Sequence, residues 1–343
     1  MLRMIQVGMG GWGRDWDRHI LLPDDAVALL ACVDADEATL ALARRELKLP
    51  ADCYFTSLGA ALAATEAEAV LITASLPGHV PLAVEALQAG KHVLLEKPFA
   101  PSLAEARQVV DLAEARGRVL MISQNYRFFP AVQAVRDLVR AGSLGAVGAV
   151  SIDFRRYANG APREGHRHYT LHHPLLADMA IHHFDLMRAV LGQEPVDIAC
   201  RAWNPPWSNF EEPPAAVATI TFDGGTVVSY RGSWVSSGPP TAWAGEWHME
   251  CAGGEIAWTS RDNRGAGVDR VTVRPVGGRP RRLELPRLPH IDRAGSLHAF
   301  ARAVATGEPP ESSGRDNLGS LTLMHRAIDA ATTGMRLPVA HES

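Results

Sequence analysis

A short apolar run, Met4-Ile5-Gln6-Val7, leads straight into Gly8-Met9-Gly10-Gly11-Trp12-Gly13. Gly8, Gly10 and Gly13 fit the spacing G-x-G-x-x-G, which has structural meaning only between a strand and a helix. There the first glycine permits a tight turn and the second lets backbone approach a pyrophosphate. The third lets the next helix pack close to the strand. Phosphates at such a turn meet the free N–H groups of a helix N-terminus. Glycines alone say little in a chain that has 30 of them. Here a second apolar run, Val27 to Val33, follows and ends at Asp34. That is roughly the twenty-residue offset at which an acid binds adenosine ribose hydroxyls. The competing reading of Asp34 is a helix cap, with Glu37 closing the box. Ala35, Asp36 and Glu37 offer no arginine to a 2′-phosphate, so the expectation is NAD(H) rather than NADP(H).

The rest of the first half alternates in the same way. A helix should run from Asp34 to about Leu47. Ala69-Val70-Leu71-Ile72-Thr73 reads as a buried strand, and His79 to Ala89 as a helix ended by Gly90. Val93-Leu94-Leu95 reads as another buried strand, with Glu96-Lys97-Pro98 at its C-terminal end. Ser102-Leu103-Ala104-Glu105 is a capping box opening a helix to Arg116, and Val119 to Ile122 is a last strand. Alternation of this kind means a parallel sheet with helices on both faces. Ligands of such sheets sit outside the strand carboxyl ends, so Lys97 is a positioned charge there. The plainer alternative is a surface ion pair with Glu96.

The second half reads differently. Ala131 to Arg140 is helical, and Gly148 to Phe154 alternates with Val150, Ile152 and Phe154 on one face. After a helix near 175–191 come closely spaced strands at 196–202, 215–222, 226–234, 247–252 and 268–274. Asp223-Gly224-Gly225 makes a hairpin turn between two of them. The expectation is an open, mostly antiparallel sheet, with helices near 294–306 and 318–333. Overall an α/β chain is expected, with a Rossmann dinucleotide-binding domain over 1–124 and an α+β domain over 125–343. A length of 343 residues suits two domains.

The helix expected after Pro174 carries a polar stripe. Asp178, His182 and Asp185 are spaced i, i+4, i+7 on a segment otherwise rich in Leu, Met, Ile, Phe and Ala. Buried polar groups need partners or a wet cavity. One reading is a structural Asp–His hydrogen bond. The other is a functional histidine tuned by carboxylates.

Composition removes several classes. A net charge of -4 gives no electrostatic case for nucleic acid or an anionic membrane. No apolar run approaches the ~20 residues that span a bilayer. The 4 cysteines are scattered, as in a reducing compartment, and a cytoplasmic protein is expected. Six of the 14 histidines lie between His166 and His183, which raises a metal site. No cysteine joins them, and the expectation is that no metal is held.

Taken together these residues resemble the Gfo/Idh/MocA oxidoreductases, the family of glucose–fructose oxidoreductase and myo-inositol dehydrogenase. The resemblance covers nearly the whole chain. It runs from the glycine loop through His79, Glu96-Lys97-Pro98 and Asn125-Tyr126-Arg127 to Asp178-x-x-x-His182-x-x-Asp185 and Gly314-Arg315-Asp316-Asn317. It implies hydride transfer between the nicotinamide of NAD and a secondary alcohol of a sugar, cyclitol or glycoside. It implies Lys97, His182 and Asp178 as catalytic residues. Cofactor contacts are implied for Gly8, Gly10, Gly11, Trp12, Gly13, Asp34, Ser75, His79, Glu96, Lys97 and Asn125. Substrate contacts are implied for Lys97, Tyr126, Arg127, His166, Asp178 and His182. A homodimer or homotetramer through the C-terminal sheet is implied as well. One departure is the segment His172-His173-Pro174-Leu175-Leu176, where the family often has glycines. Two other functions share the fold: glycoside cleavage through transient oxidation by bound NAD, and NAD-binding regulation without turnover.

Overall fold

The computed structural model describes residues 1–164, 166–263 and 266–340. They form two compact units, one of Met1–Asn125 with His290–Leu318 and one of Tyr126–Pro289 with Gly319–Ser343. A single boundary at 124/125 does not provide for this, because a late segment of the chain belongs to the first unit.

The first unit is built on a parallel sheet of β1 (Leu2–Val7), β2 (Val27–Val33), β3 (Tyr54–Phe55), β4 (Ala69–Ile72), β5 (His92–Leu95) and β6 (Leu120–Ile122), in the order β3-β2-β1-β4-β5-β6. Its helices are α1 (Gly11–Trp16), α2 (Glu37–Leu47), α3 (Leu58–Ala64), α4 (Leu76–Gln88) and α5 (Leu103–Ala115). Every side chain of β4, and Val93, Leu94 and Leu95 of β5, is fully buried. Strands covered on both faces lose the alternation of a half-exposed sheet and read as unbroken apolar runs. The chain reverses its direction of sheet growth between β1 and β4, which is where open α/β sheets hold their ligands. Ser102 caps α5 as its sequence announces: its Oγ accepts from the Glu105 amide and donates to the Glu105 carboxylate at 2.6 Å.

In the second unit, α6 (Pro130–Arg140), β7 (Val147–Arg155) and α7 (Ala180–Leu191) are followed by β8 (Pro195–Trp203), β9 (Ala215–Phe222), β10 (Val227–Ser233), β11 (Glu246–Cys251), β12 (Gly254–Thr259), β13 (Arg270–Pro275) and β14 (Arg281–Arg282). After α8 (Asp292–Thr306), which belongs to the first unit, and α9 (Gly314–Thr333), β15 (Leu337–Pro338) completes the sheet. The order is β14-β13-β12-β11-β7-β10-β9-β8-β15, with β7 and β10 parallel and the other pairs antiparallel. Ile152, Phe154, Tyr230, Trp247 and Met249 point to the buried face. The outer face presents Ser229, Arg231 and His248. Both edge strands are two residues long, which limits templating by other chains.

Several elements differ from expectation, β3, α3, β14 and β15 among them. Strand β12 was not expected: its short Gly254-Glu255-Ile256-Ala257-Trp258-Thr259 begins inside a Gly-Gly turn and gives little alternation. The helix expected near 175–191 begins only at Ala180, with Met179 as its N-cap at φ -107°. Before it, backbone bonds of unequal span, Ala177 N to His173 O and Ala180 N to Leu175 O, build a turn rather than a regular helix. No described helix is long and apolar enough to cross a membrane.

Candidate active site

The glycine loop closes the first unit's sheet at the end of β1. Gly8 has φ +100°, and a Cβ there would lie 2.3 Å from the Ala74 amide nitrogen. A Cβ on Gly13 would lie 1.9 Å from the Gly8 carbonyl oxygen. Both positions therefore require glycine. Gly10 and Gly11 have nothing within 4 Å of such a Cβ, so they keep backbone open rather than packed. Gly10 is the N-cap of α1 and makes no side-chain cap, so no side chain competes for the amides there. Beneath the loop, Gln6 Nε2 donates to the Gly13 carbonyl at 2.9 Å and to Thr73 Oγ1 at 3.0 Å, while Thr73 Oγ1 donates to the Gly8 carbonyl at 2.7 Å. This buried staple was not expected, because an isolated Gln and Thr in apolar strands carry no pattern.

Asp34 accepts the Met9 amide at 2.8 Å and the Asp36 amide at 3.0 Å. The cap of α2 is Asp36, which accepts from Ala38 and Thr39. The capping alternative for Asp34 therefore falls to its neighbour, and Asp34 stands at the strand end beside the glycine loop. Trp12 is 45% exposed, with the Arg293 guanidinium 4.3 Å over its ring. These residues fit a dinucleotide: open backbone amides, room where a side chain would intrude, and a carboxylate for ribose hydroxyls.

At the end of β5, Glu96 is buried. One of its oxygens accepts from Trp16 Nε1 at 2.8 Å and the other from the Lys97 backbone amide at 3.1 Å. The Lys97–Pro98 peptide is cis. His79, also buried, lies between the Pro98 carbonyl at 2.8 Å and the Ala74 carbonyl at 3.0 Å, and burial holds its pKa below the usual imidazole value. It braces the turn that carries Lys97. Ser75 is the exposed N-cap of α4, and Asn125 donates through its amide to Asp292.

In the second unit His182 is 6% exposed and lies face to face with Tyr126, centroids 4.1 Å apart and rings within 3°. His183 is fully buried. Its Nε2 donates to the Trp243 carbonyl at 2.9 Å, which fixes the tautomer, so Nδ1 accepts from the Tyr230 hydroxyl at 3.0 Å. Burial pushes its pKa down to about 4. Asp185 takes a two-pronged ion pair from Arg127, both contacts 2.7 Å, and accepts from Ser320 at 2.8 Å.

The expected stripe of Asp178, His182 and Asp185 on one helix is therefore corrected. Asp178 precedes α7 and lies 3.9 Å from His168, while Asp185 faces Arg127. His166 packs its ring 4.4 Å from Tyr169. His172 pairs with Glu212 at 2.6 Å. Among the described residues the grouping with metal-ligand spacing lies elsewhere, at Asp24, His290 and His298. There His298 Nε2 meets Asp24 at 2.7 Å, as in an ordinary ion pair.

The chain thus carries a glycine-loop parallel sheet and a broad, mostly antiparallel sheet. The chain belongs to the Gfo/Idh/MocA family: residues 2–124 match its oxidoreductase domain with NAD-binding Rossmann fold and residues 132–255 its C-terminal domain. It is an NAD-binding dehydrogenase of that family. It is 31% identical over 249 residues to a dTDP-3,4-didehydro-2,6-dideoxy-alpha-D-glucose 3-reductase of Streptomyces violaceoruber, covering 70% of this chain and 67% of that one. With the D-apiose dehydrogenase of Paraburkholderia graminis it shares 26% identity, over 96% of this chain and 87% of that protein. Its fold matches an oxidoreductase from Agrobacterium radiobacter, solved with NAD+, L-tartaric acid and magnesium, at TM-score 0.84 and 19% identity over 98% of both chains.

Proposed function

We propose that the protein oxidises a secondary hydroxyl of a sugar or cyclitol, or reduces the matching ketone, with Lys97, His182 and Asp178 as its catalytic residues. The observation that carries the reading is Lys97, placed at the carboxyl end of β5, where its backbone N–H donates a hydrogen bond to the carboxylate of buried Glu96, which Trp16 holds in turn. The sugar reductase and apiose dehydrogenase relatives support the substrate class.

NAD, when bound, accepts the hydride. The Lys97 ammonium stabilises the alkoxide that develops as the hydroxyl proton leaves, a contribution of several kcal/mol in a water-poor site. His182 takes that proton. Its Nδ1 is fully buried, so the transfer is given to Nε2. Asp178 binds or orients the substrate, with Tyr126 and His166 as further contacts. Arg127 acts as a positioning residue through Asp185 of α7. Asp34 favours NAD over NADP by repelling a 2′-phosphate. The outer face of the second unit's sheet is the surface we assign to a homodimer or homotetramer. Four unpaired cysteines support a cytoplasmic location.

The test is a screen of sugars, polyols and glycosides with NAD, following NADH absorbance and identifying products by mass spectrometry. Lys97→Ala should lose turnover by at least about a hundredfold while calorimetry still finds NAD bound, held by the glycine loop and Asp34. Near-normal kcat in that variant would make Lys97 structural. Product without net NADH would favour glycoside cleavage through transient oxidation.

A further inference from the structure

His182 ends a column of rings and guanidinium groups within the second unit. The Tyr126 ring covers it at 4.1 Å, and the Arg261 guanidinium lies over the Tyr126 ring at 4.5 Å. Arg261 Nη1 also donates to the Tyr126 hydroxyl at 2.7 Å. Beyond it stands Trp243, 5.7 Å from Arg261, and over Trp243 at 4.2 Å lies Arg156. Trp243 is a fixed platform, since its carbonyl holds His183 and Trp234 and Phe154 pack against its ring.

Stacking on aromatic faces gives each arginine some compensation for lost water. It does not supply acceptors. The Nε of Arg156 and the Nε of Arg261 are both buried without a hydrogen-bond partner. Among the described residues no carboxylate forms an ion pair with either guanidinium. The charges of Asp262 and Tyr126 favour the Arg156 cation, while Arg261 opposes it. Two cations are thus held on rigid rings around Trp243, each with an unmet Nε donor, and Arg261 stands one ring away from His182. Buried donors of this kind are costly unless something accepts from them. Guanidinium groups are shaped to receive carboxylate or phosphate oxygens in pairs.

We propose that the substrate is an acidic sugar whose carboxylate or phosphate is received by Arg156 and Arg261 beside His182. This rests on the dehydrogenase reading above for the chemistry, and on Arg156 and Arg261 for the charge. Neither arginine stands in a sequence motif. They are brought to Tyr126 from the end of β7 and from just after β12.

The test compares matched substrates with NAD present: glucuronate and galacturonate, glucose 6-phosphate, and the neutral sugars glucose and galactose. The acids should be preferred in kcat/KM by at least about tenfold, the least expected of a charge-assisted hydrogen bond. Which acid wins separates carboxylate from phosphate. Arg156→Gln should bring the preference close to parity, and Arg156→Lys should restore part of it. Arg156 is the better variant because Arg261 also fixes Tyr126. Equal or better use of the neutral sugars by the wild type would overturn the proposal, as would an unchanged preference in Arg156→Gln. If no sugar is oxidised, binding of the same acids is followed by tryptophan fluorescence. Saturable binding lost in Arg156→Gln would keep the anion site and sink the dehydrogenase reading. No binding of any acid would sink the anion site.

Discussion

Adjacent histidines in one helix have different surroundings, and we assign catalysis to only one of them. His182 and His183 differ by about 100° around α7. That rotation sends one ring onto Tyr126 and the other into the core between Tyr230 and Trp243. His182→Asn should therefore lower kcat/KM by roughly 10²–10⁴-fold, the range for a removed general base. His183→Asn should leave kcat within a few fold and act on stability. For His183 the unfolded chain protonates near the ordinary imidazole value and the folded chain only near about 4. As pH falls between those values the unfolded state binds the extra proton, so stability falls. His183→Asn should flatten that part of the denaturation profile. An inactive His183 variant with intact fold and NAD affinity would move the catalytic face to the other side of α7. The identity of both histidines was legible in the sequence. Their neighbours were not, because Tyr230, Trp243 and Arg261 come from strands and loops at no fixed spacing from α7.

At the scale of elements, helix α1 passes at Asp17 into a π-helical turn, Asp17–Leu21. Single π turns are common at functional positions in helices. Asp17 is fully buried, and neither of its carboxyl oxygens has a hydrogen-bond partner among the described residues. Burial pushes its pKa up to about 8. The folded protein thus keeps a proton that the unfolded chain releases near 3.8. Stability from this group is complete below the lower value and is lost as pH rises toward the upper one. Asp17→Asn keeps the shape and removes the ionisation. It should gain on the order of a few kcal/mol over the wild type between pH 5 and 9. Urea midpoints across that range decide it, and parallel profiles would mean that Asp17 has a partner in solution. Sequence reading located the glycine loop, the strand ends and the α5 cap because each has a local signature. It started α7 five residues early, since Pro174 followed by apolar residues has the composition of a helix while the backbone there makes turns. Composition carries the propensity of a segment, and hydrogen-bond geometry decides its limits.

For the molecule as a whole, a cut after residue 124 does not free a complete unit. The edge strand β6 is finished by a distant segment: the Ile122 amide donates to the Ser312 carbonyl at 2.9 Å, and Ser312 Oγ donates back to the Ile122 carbonyl at 2.7 Å. Gly314 packs so closely on Leu120 that a Cβ would come within 2.5 Å, and Arg315 reaches Glu114 at 2.7 Å. Residues 1–124 expressed alone should melt lower than the full chain and bind a hydrophobic dye, through the uncovered β6 edge and Leu120. A fragment as stable as the parent would show that the late segment is merely attached.

That borrowed edge has a consequence for synthesis. Chains leave the ribosome from the N-terminus at about 5–20 residues per second. Between the emergence of β6 and that of residues up to Leu318 roughly 200 residues must be made, on the order of 10–40 s. During that interval the nucleotide-binding sheet has its strands but not its border. A sheet translated before its border is thus completed only when the later segment arrives, and chaperone capture during translation would fall on the strand that waits.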